Sequence, residues 1–458
     1  MPSNRARLSA KFVIERLRSD VAQQRAALFP GDHLGPRKWL NLISGQLDTA
    51  DLYLRQAFET SVGRERQLQL IHQAARLAAE AYEYFVEFRG ADTKELPFPI
   101  ITPLQRWFTR LKVRNDIFFR ANVEANYELL PLLPDPFRGL QRPSPSLLAA
   151  IDDVRWPMYR VTVPARAYAI IPHLAIVAHE VGHAVYSRLG LGAAHRSGLN
   201  KLHAATKKRH GTPALRPVAS SIYSAWFQEF AADAVMFCIT GPAGFFSLCE
   251  YSQLLGKPDD YSRTHPSSYL RRQALYKHLR VGKPSFAEVF KRHTGSPLQE
   301  DFNSPLVGDE MDVEAIYASL TRPAEYDKDE AKVIAELHAL APEWERDIYA
   351  AARRHIQAVD RELIYTPKQF DLDLKNYLAP MMAAVPPVEI GSDLDHKTPA
   401  DFSSILNVGW VALLTKLKDL RVRTRQPDPV GVDKLERLHT LLLKAVELSE
   451  VRRRWEQA

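Results

Sequence analysis

Residues 225–238, AWFQEFAADAVMFC, are apolar around almost the whole circumference of a helix, which obliges the fold to enclose this segment on nearly every side. The exceptions are Gln228, Glu229 and Asp233. Glu229 and Asp233 stand four residues apart on one face, and the segment holds no basic residue to neutralise them. Two carboxylates buried together need a cation or strong hydrogen-bond donors. A metal ion would supply the one, and an arginine from elsewhere in the chain the other.

A second segment carries residues that bind metal. In AIVAHEVGHAVYS, residues 175–187, His179 and His183 stand four apart around Glu180. At 100° per residue, Ile171, Leu174, Ala178, Val181, Val185 and Leu189 fall on one apolar stripe, and the two histidines fall nearly opposite it. Two imidazoles one turn apart can reach a single tetrahedral Zn²⁺, and a glutamate beside the first points toward the open position, where it can deprotonate a water. By itself this spacing also fits a core helix that happens to carry two histidines. Glu229 as a third ligand, with Asp233 accepting the second N–H of a ligand histidine, favours a metal centre.

The order His-Glu-x-x-His, then Glu-x-x-x-Asp on a later helix, resembles the gluzincin metallopeptidases. THPSSYLR, residues 264–271, is similar to the Thr-His-Pro motif with a later arginine found in the CAAX-prenyl-protease and HtpX family of zinc endopeptidases. The resemblance covers about residues 150–282. It implies that His179, His183 and Glu229 bind zinc, that Glu180 is the general base, that Asp233 orients a ligand histidine and that Arg271 pairs with carboxylates such as Asp233. Members of that family usually carry membrane-spanning helices and this sequence shows none, which points away from prenylated or membrane substrates. His265 fits either a donor to a developing oxyanion or a cap on the helix that follows. His173, His195, His203 and His210 lack ligand-type spacing and read as ordinary polar residues.

A length of 458 residues suggests two or three units. We expect a mainly α chain, with an N-terminal helical region over 1–140, a zincin-like metallopeptidase core over 141–300 and a C-terminal helical region over 301–458. Helical patterns cover roughly 7–28, 37–61, 64–89 and 102–129, then 219–239, 266–280 and 284–293, and later 327–360 and 430–456. MYRVTV (158–163) alternates as a strand, LPLLPDPFRGLQRPSPSLL near 130–148 reads as an extended connection, and the basic stretch 193–217 reads as a solvated loop, with a peptide- or membrane-facing patch as the alternative.

The formal charge of +7 is a small excess spread over a long surface, so no specific nucleic-acid partner is expected. Cys238 and Cys249 are too few for a disulfide framework or a thiolate zinc site, and no signal-peptide or membrane-spanning pattern appears. A cytoplasmic protein with at most peripheral membrane contact is the expectation. The expected function is zinc-dependent hydrolysis of protein or peptide substrates, with an extended peptide adding along strand 158–163. The alternative is a catalytically silent zinc-binding helical protein with a regulatory or interaction role. A nucleic-acid binder using KKRH ranks below both.

Overall fold

Alanine, leucine, arginine and glutamate dominate the first hundred residues and favour helix. The computed structural model bears this out with α1 (Pro2–Arg25), α2 (Leu34–Ala57), α3 (Arg64–Phe88) and α4 (Phe98–Arg110). The structure describes residues 2–26, 34–59, 62–88, 91, 97–122, 127–134, 137, 140–164, 170–210, 215–254, 262–298, 328–390, 398–421 and 432–457. Most of them are helical. Residues 299–327, between the helical patterns at 284–293 and 327–360, and residues 211–214 of the basic stretch lie outside these ranges.

The chain divides into two compact units, one built from 1–102 and 114–165, the other from 103–113 and 166–458. In the first, α1, α2 and α3 share a core with a short sheet, in which Trp39 stacks on Phe118 and meets Tyr84 and Phe137 edge-on. The sheet consists of β1 (Ile117–Asn122), β2 (Glu128–Leu132) and β3 (Met158–Pro164), with α5 (Pro145–Asp153) between β2 and β3.

Two expectations fail here. A single helix over 102–129 does not form, because α4 stops at Arg110 and residues 117–122 become β1. Their partner is β3, about forty residues away, and non-local pairing of this kind outweighs local composition. Nor can a peptide add along β3. It lies centrally, parallel to β1 (Ile117 opposite Tyr159) and antiparallel to β2 (Leu132 opposite Met158), so both of its edges are already bonded.

In the second unit a 3₁₀ turn, Ile171–Ile176, leads into α6 (Val177–Val185). A glycine at φ +69°, Gly190, then turns the chain into α7 (Gly192–His210). The loop expected over 193–217 is therefore corrected to a helix for most of its length. Its buried stripe is Gly198, Leu202 and Thr206, spaced by four, which is helical spacing with leucine as its one strongly apolar member.

α8 (Arg216–Thr240) is the axis of this unit, and every residue from Glu229 to Thr240 is buried. Around it stand α9 (Pro242–Leu254), α10 (Ser268–Leu279), α11 (Phe286–Thr294) and the long α12 (Lys328–Asp360). The C-terminal helices α13 (Pro367–Asp373), α14 (Ala379–Met382), α15 (Phe402–Val411) and α16 (Val432–Gln457) complete it. Buried hydrogen bonds tie α15 to this axis. Asn407 donates to the Thr240 carbonyl at 2.7 Å and accepts from the Ala243 amide at 2.9 Å. Both cysteines are buried and free, and among the described residues no helix is long and apolar enough to cross a membrane.

Candidate metal centre

α6 and α8 cross at unusually short range because Gly182 faces Ala232. A β-carbon at 182 would lie 2.5 Å from the Ala232 Cα, so only glycine permits this approach. The crossing brings the histidine face of α6 against the carboxylate face of α8. His179 Nε2 and His183 Nε2 lie 3.0 Å apart, and the Glu229 carboxylate straddles them, with Oε2 3.3 Å from His179 and Oε1 3.3 Å from His183. Among the described residues, His179, His183 and Glu229 form a group that can hold a metal ion.

The donor spacing suits a small divalent ion. Bonds of 2.0–2.2 Å in tetrahedral geometry separate neighbouring donors by roughly 3.3–3.6 Å. The separations of 3.0–3.3 Å lie close to that, and two imidazoles with a carboxylate suit a first-row divalent metal. Glu229 Oε2 is buried without an aligned hydrogen bond, its neighbours His179 Nε2 and Arg271 Nη1 standing at 3.3 and 3.4 Å.

Asp233 and Arg271 stand behind the histidine. His179 Nδ1 lies 2.8 Å from Asp233 Oδ1, which directs its Nε2 toward Glu229. Arg271, from α10, grips Asp233 through Nε and Nη2, both at 2.7 Å, and places Nη1 3.4 Å from Glu229. The arginine that two buried carboxylates can recruit is thus present, and it satisfies Asp233 more fully than Glu229.

Carboxylates gather here. Glu180, Glu229 and Asp233 are buried in this region, and Arg271 pairs with Glu229 and Asp233. Burial alone would depress His179, but the Glu229 charge and the Asp233 hydrogen bond outweigh it and raise the imidazole to about 10. Burial likewise works against Glu229 and Asp233 as anions, and the charges of His179 and Arg271 overcome it and hold both below the ordinary carboxylate range. This demand for positive charge is one that a divalent cation would meet.

Glu180 is buried on the same helix, close enough to Arg271 for its charge to strengthen that guanidinium's hold on its proton. His265 lies at the open side, its side chain 60 % exposed and its Nε2 3.7 Å from Glu229 Oε1. It is not the cap of α10, since Ser267 accepts the Leu270 amide in that role. Sequence reasoning passed over Ser262, whose Oγ accepts the His265 amide at 2.9 Å and whose carbonyl accepts the Trp226 indole N–H at 2.9 Å. It also passed over Gly182, for which a glycine inside a helical pattern was the available signal. The other four histidines lie outside the group. His173 pairs with Glu250, His195 with Ser224, His203 with Ser220 and His210 with Glu336.

Comparison of the chain with protein-family models, with curated proteins and with solved structures finds no match.

Proposed function

We propose that the chain is a zinc-dependent metallopeptidase of gluzincin type, hydrolysing peptide bonds in protein or peptide substrates. One observation carries the reading: a His-His-Glu donor group, packed within ligand distance, shares its helix with a buried glutamate and lies next to an exposed histidine. His179, His183 and Glu229 would hold the ion. Zn²⁺ bound there would polarise a water and the scissile carbonyl.

The chain's own residues supply the remaining roles. Glu180 takes a proton from the attacking water and returns it to the leaving amine. His265, held by Ser262 and by Thr264 Oγ1 at 2.9 Å from its Nδ1, donates from Nε2 to the oxygen that becomes negative. Asp233, fixed by Arg271, keeps His179 in the tautomer that presents Nε2 as a donor.

Metal analysis and a peptide-cleavage assay on two variants test this. Glu180→Gln is expected to keep one zinc per chain and lose hydrolysis, whereas Glu229→Ala loses the metal. A purified chain that neither contains nor takes up zinc would refute the proposal. A chain that binds zinc and cleaves nothing would instead be the silent zinc-binding protein.

A further inference from the structure

Between Glu180 and Glu229 the chain contains no acidic residue, while it carries seven lysines and arginines. Most of these lie on α7, and the carboxylates of α12 answer only part of the charge. Lys201 reaches Glu343 at 2.7 Å, and Arg209 reaches Glu336 at 3.1 Å. Arg196, Lys207, Lys208 and Arg216 are exposed and form no ion pair with a described carboxylate. The positive field is felt locally: burial first, and then Arg196, lowers His195, and burial followed by Arg216 lowers His203.

The helix geometry orders these cations. At 100° per residue, Arg196 and Lys207 fall on one flank of the solvent face and Lys201 and Lys208 on the other, with the exposed Ala193, Ser197, Asn200 and Ala204 between them. This makes a smooth strip between two rows of positive charge, about 16 Å long at 1.5 Å per residue. No large apolar or aromatic side chain is exposed on it, so it offers neither a stacking platform for bases nor an anchor for a lipid interface. The strip lies on the side of α7 opposite His195 and the buried stripe, through which the helix packs on its neighbours. α7 follows α6 through Gly190, and His195 packs at 4.9 and 5.1 Å on the rings of Tyr223 and Phe227, the latter two residues before Glu229.

We propose that the exposed face of α7 docks an acidic segment of the polypeptide substrate, an inference that names the substrate class and rests on the peptidase reading. The probe is a fluorescein-labelled twelve-residue peptide of alternating glutamate and serine, and its anisotropy is followed with zinc-loaded full-length Glu180→Gln chain, which cannot consume it. Adding Arg196→Gln, Lys207→Gln and Lys208→Gln is expected to weaken binding roughly tenfold. Raising salt from 50 to 200 mM should weaken the intact face more than the substituted one. Exposed helix positions tolerate these changes, and circular dichroism checks the fold. Equal affinity with and without the three cations would overturn the inference, as would tighter binding of a twelve-nucleotide single strand or of phosphatidylserine vesicles than of the peptide. If binding depends on the cations but the Glu180-intact chain does not cleave a peptide bearing the acidic segment, the peptidase reading fails and the acidic-polypeptide surface stands.

Discussion

Replacing Gly182 by alanine separates what a helix prefers locally from what this centre requires. In an exposed helix interior the exchange stabilises by roughly 1 kcal/mol, because alanine restricts the unfolded chain and favours helix. Here the new β-carbon meets main chain, 2.5 Å from the Ala232 Cα and 2.8 Å from its carbonyl oxygen, and neither atom can swing aside. Restoring ordinary contact at 3.4 Å requires α6 and α8 to part by about 0.9 Å (3.4 − 2.5). Overpacking of this kind costs about 1–3 kcal/mol, with backbone contacts at the upper end, so the expected net change is a destabilisation of about 1–2 kcal/mol. Because the histidines ride on α6 and Glu229 on α8, the 3.3 Å gaps between them would open to about 4.2 Å (3.3 + 0.9), beyond the reach of one small ion's ligand sphere. Zinc affinity should therefore fall on the order of 10- to 100-fold. Urea unfolding of the metal-free chain and calorimetric zinc titration measure the two effects separately. A Gly182→Ala chain as stable as the parent, with unchanged zinc affinity, would refute the claim that the glycine sets the spacing of the centre.

Asp233→Asn keeps the shape of the side chain and removes the charge that faces Arg271. The guanidinium is then buried with half its neutralisation gone, so a loss of about 2–4 kcal/mol is expected in thermal or urea unfolding, with a 10- to 100-fold fall in zinc affinity. His338 gives a pH dependence of stability. Burial pushes its imidazole, packed edge-on against Trp226, down to about 4. The unfolded chain binds this proton near pH 6.5 and the folded chain only near 4, so the buried neutral ring is fully compatible with folding above pH 6.5. Stability should fall as pH drops from 6.5 to 4, and His338→Phe should flatten that part of the profile; a slope identical to the parent's would count against the assignment.

The metal centre was more legible in the sequence than the fold around it, and the reason lies in the residues. A helix apolar on nearly all sides can only be an axis, and two acids within it must find a positive partner, so AWFQEFAADAVMFC constrained its surroundings without help from any other segment. The residues at 117–122 did not declare themselves, because a strand in the middle of polar and aromatic helix-like composition becomes one only by meeting β3. α7 escaped notice because its inner stripe consists of a glycine, a leucine and a threonine, of which only the leucine gives an apolar signal. Ser262 was hidden for a third reason: its role depends on an indole thirty-six positions away.

The turn ahead of α6 carries a further consequence. The Pro172 carbonyl accepts from Ser247 Oγ at 2.9 Å and from the Trp410 indole at 3.1 Å, and the His173 ring stacks on the same indole. The first two of the three candidate metal ligands thus belong to a helix whose lead-in is fastened by a residue some 240 positions later in the chain. During synthesis His179, His183 and Glu229 all leave the ribosome well before that clasp exists. Translation must pass Trp410 before the lead-in has all of its bonds, so a chain released short of that point carries the three candidate ligands with Ser247 alone holding the Pro172 carbonyl.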